Sequence, residues 1–79
     1  MKSIHSEPYV RFLSLLTDAR VRLGLSQREL ARLLKKPQSF VSKYERGERR
    51  LDVAEFMELC KVLKIDPCTV LRKIESKPR

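Results

Sequence analysis

The sequence predicts an all-α chain of five short helices, and three observations carry that prediction. Apolar residues recur at three- and four-residue spacing in successive segments, and no stretch alternates in the way a hairpin requires. The only two glycines, Gly24 and Gly47, stand where such segments end, which is where a left-handed residue closes a helix at no steric cost. Ser26, Asp52 and Asp66 stand where segments begin, and short side chains with an acceptor oxygen are the residues that cap free backbone N–H groups there.

Taken in order, the first helix starts near Ser6–Pro8 and ends by Gly24. Tyr9, Phe12, Leu16, Ala19 and Leu23 form its apolar stripe, widened by Leu13 and Leu15, with Arg20 on the border and Arg11, Asp18 and Arg22 away from it. The second helix opens at Ser26, because Ser26 and Glu29 have the spacing of a capping box. Leu30, Ala31 and Leu34 face inward, and Leu33 is expected to join them. Lys35-Lys36-Pro37 ends this helix: proline disfavours a helical residue before it and is tolerated in the first turn of a new helix. The third helix runs Gln38–Arg46 and turns Val41 and Tyr44 to the core.

Asp52 and Glu55 repeat the capping-box spacing and open a fourth helix, with Val53, Phe56, Leu59, Cys60 and Leu63 inward. Asp66 and Pro67, as N-cap and first helical residue, open a fifth whose apolar side is Val70, Leu71 and Ile74. Residues 8–75 are expected to form one domain, between flexible tails at 1–7 and 76–79.

Composition narrows the function. A chain of 79 residues buries only about 60% of its unfolded surface, which leaves little for a deep catalytic cleft. An apolar fraction of 42% supplies one helical core, and 35% charged residues supply the surface around it. The net charge of +8 calls for an anionic partner. No apolar run spans a membrane and Met1–Ser6 has no signal core, so a cytoplasmic protein without membrane partners is expected. Cys60 and Cys68 are eight apart and His5 stands alone in the N-terminal tail, so no disulfide framework or metal site is expected. Cys60 reads as a reduced core residue. With no glycine-rich phosphate loop and no carboxylate cluster, neither enzyme activity nor a cofactor is expected.

The segment 26–46 carries the chemistry. Two short helices joined by three residues have the dimensions of a helix-turn-helix, and small Ala31 lets them pass closely. With Val41 and Tyr44 inward, the third helix presents Gln38, Ser39, Ser42, Lys43 and Arg46. Gln can pair with adenine, Lys can donate to guanine O6 and N7, and Ser can bond a base edge or a phosphate. An ordinary solvated face would carry Glu and Lys in i,i+4 pairs. Glu45 is the only acid in this helix and is expected to turn inward or sideways.

Residues from about 10 to 66 resemble the phage-repressor and Cro-like helix-turn-helix family, also called XRE-like. The matching strings are Arg20, then Leu23-Gly24-Leu25-Ser26-Gln27-Arg28-Glu29-Leu30-Ala31, then Gln38-Ser39-Phe40-Val41-Ser42-Lys43-Tyr44-Glu45-Arg46-Gly47. The resemblance implies a five-helix domain that binds a pseudo-palindromic double-stranded DNA operator as a homodimer and regulates transcription, as repressor or activator. Restriction–modification controllers and stand-alone phage or plasmid regulators share this plan. The alternative is an antitoxin or adaptor whose main partner is another protein.

Carried over position by position, the resemblance assigns Gln38, Ser39 and Lys43 to base edges, with Ser42 a secondary candidate. Gln27 is assigned to a phosphate and to orienting the first base-reading residue. Arg46, Arg49 and Arg50 are assigned to the DNA backbone, and Lys36 is a further phosphate candidate. Arg20 and Glu45 match a partly buried structural ion pair. The sequence departs from the family pattern at Lys35, where a glycine commonly takes a left-handed conformation. Lysine there costs about 1 kcal/mol relative to glycine.

Overall fold

The computed structural model describes residues 6–75; both expected tails lie wholly or mostly outside that range. Five helices follow one another: α1 Glu7–Arg22, α2 Gln27–Leu34, α3 Gln38–Glu45, α4 Val53–Leu63 and α5 Pro67–Glu75. No strand occurs among the described residues. The all-α, five-helix expectation is met.

Each helix begins on a side-chain cap or on proline. Ser6 accepts the Tyr9 N–H at 3.4 Å. Ser26 and Glu29 make the reciprocal capping box, at 3.0 and 2.8 Å. Asp52 and Glu55 repeat it at 2.8 and 2.9 Å. Asp66 accepts the Cys68 N–H at 3.1 Å, one residue past Pro67. Pro37 is extended and stands just outside α3 rather than within its first turn, so this helix starts without a side-chain cap.

The first four helices end alike. An N–H one residue beyond a left-handed position reaches five residues back: Leu25 to Arg20, Lys36 to Ala31, Glu48 to Lys43 and Ile65 to Cys60, at 2.8–3.2 Å. The left-handed residues are Gly24, Lys35, Gly47 and Lys64, with φ between 59° and 77°. Lys35 therefore adopts the family's glycine conformation without being glycine. Lys64 does so with no glycine to announce it in the sequence.

The core gathers the inward stripes of all five helices. Leu16, Leu30, Val41, Tyr44 and Leu59 are fully covered, and burying an aliphatic side chain of this size contributes about 1.5–3 kcal/mol. α1 packs on α3 and α5, and α2 on α3 and α4, so α3 is held from two sides. Arg11 ties α1 to the end of α5 by donating to the Ile74 carbonyl at 2.7 Å. Tyr9 accepts the Leu51 N–H at 3.2 Å.

Four apolar positions differ from the periodic reading. Leu33 is 55% exposed and Val53 77%, although both were expected inward. Leu23 and Leu71 are also exposed. Each lies at a helix end or on a shoulder of its stripe, where the spacing is right but no neighbouring helix lies over it. Phe40 goes the other way: it is buried, edge-on to Tyr44 with ring centroids 5.6 Å apart. Cys60 is buried and free, as expected, and burial pushes its thiol up.

Candidate nucleic-acid interface

α3 is fixed by one partly hidden network centred on Glu45. Arg20 from α1 forks onto this carboxylate, Nε at 2.8 Å and Nη2 at 3.1 Å. Gln27, the first residue of α2, donates its Nε2 to the same carboxylate at 2.9 Å. Arg20 also donates to the Leu25 carbonyl at 2.8 Å, in the connection between α1 and α2. The two ion-pair side chains are only 14% and 7% exposed, so the contact is shielded from salt. Its hydrogen bond to Glu45 chiefly holds the Arg20 guanidinium above its ordinary range. The only acid of α3 is thereby turned inward, and three helices meet on it.

Directly beside this network the Tyr44 hydroxyl is fully enclosed and has no hydrogen-bond partner among the described residues. Burial raises its pKa strongly. The ring, not the hydroxyl, is what the core uses.

With Phe40, Val41, Tyr44 and Glu45 inward, the outer face of α3 holds Gln38, Ser39 and Lys43, all exposed, and half-buried Ser42. The Ser42 hydroxyl turns back to the Ser39 carbonyl at 3.4 Å. No carboxylate is on this face. At its N-terminal edge a pocket of about 250 Å³ is lined by Lys36, Pro37, Ser39, Phe40, Lys43 and Arg49. The Phe40 ring carries two cations over it, Lys36 at 5.2 Å and Arg49 at 4.8 Å from the ring centroid. Cation–π attraction of this kind orients a cation without neutralising it.

Past α3 the cations are organised differently. Arg46 forks onto Glu48, with both contacts at 3.0 Å. Arg49 forks onto Glu55 at 3.0 and 2.9 Å and also donates to the Arg50 carbonyl at 2.8 Å. Arg50 lies over the Tyr9 ring at 5.7 Å. Arg46 and Arg49, both assigned to the DNA backbone, thus hold carboxylates in the free protein. Phe40, Glu48 and the hold of Glu55 on Arg49 are what sequence reasoning missed. Only Phe40 left a signal, four residues before buried Tyr44.

A domain model described as helix-turn-helix matches residues 16–70, most of the chain. The chain belongs to the XRE-type helix-turn-helix family. Its structure is similar to that of an XRE-family like protein from Pseudomonas syringae pv. tomato str. DC3000. The two are 51% identical with a TM-score of 0.84, over 94% of this chain and 90% of the other. No curated protein matches the chain. The family makes this a DNA-binding domain, with α2 and α3 as its helix-turn-helix pair. No helix among the described residues is long and apolar enough to cross a membrane, and no metal-ligand cluster is present among them.

Proposed function

We propose that this helix-turn-helix protein is a sequence-specific regulator of transcription that acts in the cytoplasm and reads double-stranded DNA with α3. The observation that carries the reading is the outer face of α3: Gln38, Ser39 and Lys43 exposed together, free of carboxylates, on a helix locked by Glu45. Rigid placement matters because base readout depends on hydrogen bonds between fixed partners. Ser42, half-buried and turned back to the backbone, is a weaker candidate than the other three.

Phosphate contacts position the domain on the duplex. Lys36 and Arg50, oriented by aromatic rings, are assigned to them, together with Gln27 at the start of α2. Arg49 keeps N–H groups to spare beyond its bonds to Glu55 and Arg50 and adds its charge to the same rim. Arg46 can present its Nε/Nη2 edge to a phosphate only by exchanging Glu48 for it. With about four phosphates neutralised per protomer, a dimer would bind with a salt slope near −7.

The operator is proposed to be pseudo-palindromic and the protein a homodimer, whose two α3 helices would be about 34 Å apart. An apolar groove of about 400 Å³, whose lining includes Tyr9, Phe12, Val53, Phe56, Leu71 and Ile74, supports an association surface. The same groove is what an antitoxin or adaptor reading would use. A second copy is the simpler occupant, because an isologous contact matches a two-fold operator.

The test compares two substitutions. Lys43→Ala is expected to weaken preferred-duplex binding by about 1–3 kcal/mol and to relax base preference. Arg50→Ala is expected to weaken all duplexes evenly and to reduce the salt slope by about 1 per protomer. Equal losses for Lys43→Ala on preferred and random duplexes would remove its base-reading role.

A further inference from the structure

We propose that Glu48 is a built-in competitor for the DNA backbone, a residue that withholds Arg46 from phosphate and so sets how tightly any duplex binds. The inference rests on the DNA-binding reading above and concerns the exit from α3. Arg46 meets Glu48 through two parallel N–H···O contacts, Nε to Oε2 and Nη2 to Oε1, both at 3.0 Å. That two-point geometry is the one a guanidinium uses on a phosphate. A carboxylate in this fork occupies the Nε/Nη2 edge that a backbone phosphate would take, and its charge offsets that of the donors left on Nη1.

Glu48 is held in that place by the backbone. Its N–H closes the helix end onto the Lys43 carbonyl at 2.8 Å, and left-handed Gly47 makes the turn that precedes it. The carboxylate therefore follows the DNA-reading helix as directly as Arg46 does. Lys43 is also within its field: Arg46 first, and then Lys43, hold the Glu48 carboxyl below its ordinary range.

The pair does little for the fold. Its side chains are 59% and 54% exposed, and ion pairs so open to water and salt contribute little to stability. The neighbouring pair makes the contrast: the Glu55 side chain is only 15% exposed, holds Arg49 and completes the α4 capping box through the Asp52 N–H. Glu55 builds the loop. Glu48, on the outer side of the same loop, opposes an approaching polyanion.

The measurement is duplex binding by Glu48→Gln between 50 and 200 mM salt, on a preferred and a random duplex. Preferred and random duplex are both expected to bind about three- to fivefold more tightly, with a salt slope steeper by about 1 per protomer. The melting temperature is expected to stay where it is. In the double variant Glu48→Gln/Arg46→Gln the gain is expected to vanish, since it needs the released arginine. Unchanged or weaker binding by Glu48→Gln would overturn the proposal, and so would a gain that survives in the double variant. A wild-type protein that binds no duplex at any salt would instead refute the DNA-binding reading beneath it.

Discussion

Both ends of α3 are basic, and they differ in what their cations touch. At the entry, Lys35 and Lys36 have no ion-pair partner among the described residues, and Lys36 lies over the Phe40 ring within the field of Glu55. At the exit, Arg46 and Arg49 are each forked onto a carboxylate. A planar guanidinium matches a carboxylate or a phosphate at two points, so it can build a loop as well as meet DNA, whereas an ammonium is a compact point charge on a flexible stem. A net charge of +8 thus overstates the number of phosphates the free protein is ready to meet.

Substitutions at the two ends should separate these roles. Arg49→Ala removes the Glu55 fork and the Phe40 stack together, and its melting temperature is expected to fall by about 5 °C. Lys36→Ala is expected to leave melting almost unchanged while weakening every duplex by about threefold, with a slope shallower by about 1 per protomer. If thermal melting finds Arg49→Ala as stable as the wild type, the exit loop is not held together by its arginine. The smallest effect belongs to the turn itself. Lys35→Gly is expected to raise stability by up to about 1 kcal/mol, because glycine meets no Cβ penalty at φ 59°. Denaturant unfolding measures that gain, and a loss would mean that Lys35 contributes contacts which outweigh its strain.

The fold was legible because its signals are local. Ser26 with Glu29 and Asp52 with Glu55 are three residues apart, and a capping box needs nothing beyond that spacing. The inward turn of Glu45 was legible for a different reason: an acid on a phosphate-facing helix has to go somewhere, and the family resemblance supplied Arg20 as its partner. What stayed hidden depends on the third dimension. The chain offers several acids to each exit arginine, and nothing in the spacing pairs Arg46 with Glu48 and Arg49 with Glu55. Nothing local distinguishes Val53, which heads α4 with no helix above it, from Phe56 one turn on. Lys64 takes its left-handed turn because α5 must fold back on α1, a demand made by packing and not by residue type.

The helix end most exposed to doubt in the sequence, the entry turn at Lys35, proves to have the same geometry as the glycine-closed ends. α3 therefore leaves its turn at a defined angle, held by Glu45 beneath and flanked by cations above. Recovery of bound duplexes from a random pool tests that account most directly. The expected result is a palindromic consensus with half-site centres about 10 base pairs apart, which Lys43→Ala broadens. A pool that shows no enrichment, while the protein stays folded, would contradict sequence reading by α3.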